Sequence, residues 1–112
     1  MAGLDLAEFI ESVSLACDES KLVTSYNVRI QDNTTVKIRV FLETESFIEV
    51  YFNPENGNCA FALIEGGIRI YGADNAFVGW HIHPFESPEE HQPCGELSFG
   101  EFLRTVESWY DR

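Results

Sequence analysis

Positive charge is what this chain has least of. Seven Lys and Arg stand against nineteen Asp and Glu, a formal net charge of −12 with a pI near 4.4. Such a surface repels nucleic acid phosphates at long range, which argues against autonomous DNA or RNA binding unless a basic patch is concealed. The few cations offer one candidate: Arg29, Lys37 and Arg39 fall in two neighbouring predicted strands and can share a face. Solvated strand surface is the plainer account of that trio. An acidic bias with two lysines also fits a high-salt cytoplasm or a basic partner protein.

Cysteine is nearly as sparse. Cys17, Cys59 and Cys94 are odd in number, sit in different contexts and form no C-x-x-C. That excludes a disulfide framework and points to a reducing compartment. No apolar run approaches the ~18–20 residues a bilayer span requires. The opening stretch MAGLDLAEFIES lacks the basic and apolar regions of a secretory signal. The expectation is a cytoplasmic protein with no membrane association.

What is present fits a packed globule. The 112 residues are 45% apolar, with nine Phe, four Tyr and two Trp, enough for one domain spanning residues 1–112. Asp5–Cys17 reads as a helix: Asp5 with Glu8 forms a capping box, and Leu6, Phe9, Ile10, Val13 and Cys17 make one apolar face. The period then changes to two. Strands are expected over Val23–Gln31, Thr35–Glu43, Ser46–Asn53, Cys59–Glu65, Ile68–Tyr71 and Val78–His83, with turns at Pro54–Gly57 and Gly66-Gly67. Phe85–Glu96 is polar, carries Pro88 and Pro93, and reads as loop. Ser98–Tyr110 reads as a second helix with a Ser98/Glu101 capping box and a stripe of Phe99, Phe102, Leu103, Val106 and Trp109. Short connections favour an antiparallel β-meander of about five or six strands. The fold class is therefore α+β, with an N-terminal helix and a C-terminal helix packed on the sheet.

Chemistry-bearing residues concentrate in Gly72–Cys94. This segment holds all three histidines, Asp74, Cys94 and the acids Glu86, Glu89 and Glu90. His81 and His83 are two apart on a predicted strand, so their imidazoles leave the same face. That places two ligands on one metal, or a base beside its neighbour. A third ligand can come from His91, Glu86, Glu90, Cys94 or Asp74, and three protein ligands with an open position make a catalytic zinc-type site. Without metal, His81 or His83 serves as general base, with Asp74 or Glu86 orienting the ring. Asp74-Asn75 also has a plain reading as a turn. Trp80 reads as core filling or a lid over the sheet end, and the loop glutamates as solvated acids.

Two family resemblances bear on this segment. Gly79-Trp80-His81-Ile82-His83-Pro84 is similar to the G-W-x-H-x-H-P stretch of JAMM-type metalloproteases. It lacks one residue before the first histidine, and Ser98-x-x-Glu101 offers glutamate where that family has aspartate. More of the chain resembles the TumE-type family: Tyr71-Gly72-Ala73-Asp74-Asn75, then Trp80-His81-Ile82-His83-Pro84, a polar loop, and Ser98 opening a helix with Glu101-Phe102-Leu103. Its members are small archaeal and bacterial proteins grouped as toxins of toxin–antitoxin pairs. The resemblance implies an antitoxin partner, an inhibitory effect on growth, and a working face of Asp74, His81 and His83. Two departures stand against it: the acidic charge is poor for a toxin directed at RNA, and the Glu-rich loop around His91 is extra to the family's pattern. Two other classes stay open: a metal-dependent hydrolase, and a non-catalytic interaction module that dimerises through exposed strand edges.

Overall fold

Helix α1 begins where a side chain can satisfy its first amides. The Asp5 carboxylate accepts from Glu8 N at 2.8 Å, and Glu8 returns to Asp5 N at 3.2 Å, starting a helix over Leu6–Glu19. The same reciprocal cap opens α2, Phe99–Tyr110, at Ser98 and Glu101, and these bonds hold the Glu101 carboxyl below its ordinary range. A Ser98→Ala change strips the cap and is expected to cost about 1 kcal/mol. Denaturant unfolding checks this: the midpoint should fall with an unchanged slope. The computed structural model describes residues 5–76 and 79–112.

Among the described residues seven strands run between the helices: β1 Val23–Gln31, β2 Thr35–Leu42, β3 Phe47–Asn53, β4 Asn58–Glu65, β5 Ile68–Asp74, β6 His81–His83 and β7 Gln92–Pro93. They form one antiparallel sheet in chain order. Gly66 and Gly67 make the tightest connection, both at positive φ (60° and 79°), as a two-residue hairpin demands. The α+β plan expected from the sequence is present, with more strands than the five or six expected. β5 runs on through Asp74 because Ala60 of β4 and His81 of β6 both pair with it. The expected loop Phe85–Glu96 contains β7, which pairs with β6. The expected start of the last strand at Val78 lies outside the described residues.

Alternation decides the faces. Val36, Ile38, Val40 and Leu42 of β2, with Ile48, Val50 and Phe52 of β3, turn to one side and are buried. Both helices cover that side, adding Phe9, Val13 and Cys17 from α1 and Phe99, Phe102, Leu103 and Val106 from α2. Each fully buried side chain of this kind contributes roughly 1.5–3 kcal/mol of transfer free energy. Phe9 stacks on Phe52 at 4.3 Å and Phe102 lies 5.2 Å from Phe61.

Among the described residues the opposite side of the sheet carries no helix. Strand register aligns two rows of side chains across it. One row reads Arg29, Lys37, Tyr51, Ala60, Asp74, His81; the other reads Asn27, Arg39, Glu49, Ala62, Gly72, His83. The Arg29, Lys37 and Arg39 trio does share a face, and it is the face on which the histidines sit. No helix among the described residues is long and apolar enough to cross a membrane.

Candidate functional site

Register alone brings Asp74 opposite His81 and sets His83 opposite Gly72. Because His81 and His83 are two apart on β6, both rings emerge on the open face. The carboxylate of Asp74 lies between them, with Oδ1 3.1 Å from His81 Nε2 and Oδ2 3.1 Å from His83 Nε2. Both histidines are buried, at 7% and 3% exposure.

His91 arrives from the other side. β7 pairs Gln92 with Ile82 and Pro93 with His81, and Cys94 N donates to Trp80 O at 3.0 Å. This pairing sets the His91 ring 4.8 Å from that of His81 and 4.5 Å from that of His83. One ligand atom from each of the three histidines falls within a span of 4.8 Å. The loop leading to β7 is pinned near its start and at its middle. Phe85 is sandwiched between Tyr71 (4.3 Å) and Trp109 (3.8 Å), and Arg69 donates to Pro88 O at 2.9 Å.

Hydrogen-bond partners fix the tautomers. His81 Nδ1 is 3.1 Å from Gly79 O; a carbonyl only accepts, so Nδ1 carries a proton. In a neutral ring Nε2 is then a bare lone pair facing a carboxylate oxygen, which is repulsive. That contact calls for positive charge: a second proton, making His81 an imidazolium, or a metal ion between the two atoms. His83 is arranged in reverse. Its Nδ1 faces the Arg69 guanidinium at 3.4 Å, which leaves Nε2 to donate to Asp74.

Asn75, next to Asp74, does structural work. Its side-chain oxygen accepts from Cys59 N at 2.8 Å and its amide donates to Gly57 O at 2.9 Å, locking the β3–β4 turn against the end of β5. Asp74 itself also accepts from Ala76 N at 3.1 Å. Asp74 thus makes both a turn contact to Ala76 N and contacts to the two buried rings.

A hollow of about 390 Å³ opens over these groups, lined by Tyr51, Cys59, Arg69, Asp74 and the three histidines among others. Cys59 is no nucleophile there. Burial, with Asp74 and Glu96 adding, pushes its thiol up to about 12, and burial with Asp18 pushes Cys17 up to about 11. Burial also raises Tyr71 and Tyr110. In the unfolded chain a thiol ionises near its ordinary 9.0, whereas the folded one stays neutral. Stability from this source is complete below pH 9 and is lost as pH climbs toward 11 and 12. Melting temperatures are expected to drop steeply over that window, and less steeply in Cys59→Ala.

No protein-family model, curated protein or solved structure matches this chain. The geometry of the residues therefore carries the functional reading.

Of the residues singled out from sequence, Asp74, His81, His83 and His91 come together. Glu86 does not join them: it is exposed, in the turn closed by Ser87 N to Pro84 O, outside the ligand group. Cys94 lies beyond β7, half-buried, with its thiol raised by burial, and it and Glu90 also stand outside the group. Arg69 was not anticipated. A register shift between Leu63 and Ile64 places it opposite Ile64, where its Cδ would lie 3.2 Å from a Cβ at position 72. Gly72 therefore makes room for the arginine that reaches His83.

Proposed function

We propose that this chain is a TumE-type toxin-like protein whose working part is the Asp74–His81–His83–His91 centre, a divalent-metal site with hydrolytic chemistry. The observation that supports it most is the histidine cluster: one ligand atom from each of His81, His83 and His91 lies within 4.8 Å of the others, and His81 Nδ1 is committed to Gly79 O. A backbone carbonyl on the far nitrogen of a histidine is the usual outer-shell support of a metal ligand. The donor set, three imidazoles, suits zinc or a similar borderline ion. For all three histidines to hold the ion, His83 Nε2 would first give up the proton it donates to Asp74, so uptake would release a proton. Exposed His91 stands immediately before the short β7.

When bound, such an ion lowers the pKa of its water and polarises a substrate oxygen. The chain's own groups do the rest. Asp74 balances the charge and holds both buried rings. Arg69 offers a cation to a developing anion beside His83. The hollow leaves the His91 side open for a substrate.

A metal-free reading has one observation in its favour, the Arg69 contact that keeps His83 Nδ1 unprotonated. There His81 is the imidazolium, and exposed His91 is the base. Equilibrium dialysis against zinc and manganese separates the two, since the metal reading requires one ion per chain, lost in His83→Ala. The toxin reading is checked by inducing the chain alone in a bacterial host, beside a His83→Ala version shown to fold. Growth arrest relieved by the substitution, and by a co-expressed antitoxin, is the expected result. Normal growth with abundant folded wild type would sink the toxin reading, and arrest that survives His83→Ala would sink the histidine centre.

A homodimer is best accommodated at β1, which ends the sheet and exposes Ile30 (52%) and Val28 (39%). Sedimentation should show a dimer that Ile30→Lys dissociates; a wild type that sediments as a monomer rules it out.

A further inference from the structure

The net charge of −12 is unevenly spread. The helix layer carries Glu8, Glu11, Asp18 and Glu19 on α1, and Glu101 and Glu107 on α2. The open sheet face is different. Its two registered rows hold Arg29, Lys37 and Arg39, and Arg69 lies beside them: four of the chain's seven Lys and Arg. Those rows contain two carboxylates, and both are engaged. Glu49 binds Arg39, and Asp74 is held by the histidines. Among the described residues, Arg29 and Lys37 have no carboxylate within ion-pair distance.

The middle of this face is low. Ala60 and Ala62 of β4 offer almost no side chain, the Arg69 side chain lies over Gly72 of β5, and Tyr51 and Phe41 stand half-buried on the cationic side. A hollow of about 480 Å³ around the cations meets the 390 Å³ hollow of the histidine centre at Tyr51 and Ala60. At the usual strand spacing, the trough from Lys37 on β2 to His81 on β6 is ~19 Å long.

We propose that this trough binds single-stranded nucleic acid, with phosphates on Arg29 and Lys37 and a base against Tyr51, and that it leads the strand toward Asp74 and His81. Charge complementarity selects a polyanion. The aromatic rings set among the cations select one with flat faces to stack, which an acidic peptide lacks and a duplex keeps hidden. The global charge opposes long-range approach, but at physiological salt that repulsion is screened beyond ~8 Å, and the local face decides. The proposal takes up the exception that the net charge left open, a concealed basic patch. The inference stands on the sheet face and does not require a metal; if the hydrolytic reading also holds, the bound strand is its substrate.

Fluorescence anisotropy with labelled oligouridine and oligothymidine of about twelve nucleotides, at about 50 mM salt with chelator present, tests it separately from any chemistry. The wild type should bind both. Arg29→Gln/Lys37→Gln should weaken binding at least about tenfold and reduce the salt slope by about 1.4, the value for two phosphate contacts on a single strand. Tyr51→Ala should weaken it about tenfold with the salt slope unchanged. Lys21→Gln/Arg104→Gln, an equal charge change at the helix-side hollow, should leave binding intact. Near-ultraviolet circular dichroism confirms that each variant folds. No binding by folded wild type, or equal losses from both double variants, overturns the proposal. So does a polyglutamate peptide that binds as tightly as the oligonucleotides, which would assign the face to an acidic protein.

Discussion

Asp74→Ala is expected to abolish metal uptake and to destabilise the fold by about 2–4 kcal/mol. The carboxylate is the shared partner of two buried rings, 3.1 Å from each. Removing it leaves His83 Nε2–H without an acceptor, and burial denies it water. A buried donor stranded in this way costs roughly 1–3 kcal/mol. His81 loses the negative charge that its cationic form, or a bound ion, requires. Asp74→Asn separates the two effects. The amide keeps the shape and one acceptor, so His83 stays satisfied and most of the stability is retained. The charge is gone, so ion binding and growth inhibition should fall as far as in the alanine variant. Denaturant unfolding and zinc dialysis on the three proteins provide the check. If Asp74→Asn binds metal normally, the carboxylate is only a scaffold for the rings.

The largest effect on stability is expected from Phe102→Ala, about 3–5 kcal/mol. Phe102 is 1% exposed, with its ring 5.2 Å from both Phe61 and Tyr71. The walls are rigid: Phe61 also meets Phe99 at 5.7 Å, and Tyr71 stacks on Phe85. Such a cavity collapses poorly, which puts the cost toward the upper end of that range. Tyr71 also holds Phe85, the anchor of the loop that delivers His91. Phe102→Ala should therefore weaken metal binding in protein that is still fully folded, although the residue touches no ligand. Phe102→Leu, which fills most of the space, should recover both properties together.

The periodic parts of the molecule were legible because periodicity is local. Val36, Ile38, Val40 and Leu42 announce a half-buried strand, and the structure buries all four. The two-residue spacing of His81 and His83 likewise announces a shared face, and the strand delivers it. Asp74 was read both as a turn residue and as an orienting acid, and its contacts serve both roles. Other features depend on distant pairing that no window of sequence contains. A two-residue strand such as β7 has no period to detect, and Pro93 reads as a breaker; it forms because β6 offers an edge. Arg69 reaches His83 through a register shift between strands. The cationic face exists because even spacing along β1 and β2 coincides with the register of six strands, and the two carboxylates in those rows, Glu49 and Asp74, are both engaged. A net charge summed over the chain cannot show that arrangement.

The two ends of the sheet are unequal, and this constrains how the molecule can assemble. At the histidine end, β7 is two residues long and contains Pro93, too short and too poor in donors to template another strand. At the other end, β1 offers nine residues of edge. Strand addition from a second copy is therefore directed to the cationic end. Two chains joined there in antiparallel fashion would place their charged rows side by side and send their histidine centres to opposite extremities. Assembly by that route would lengthen the track available to a bound polymer and leave both centres unobstructed.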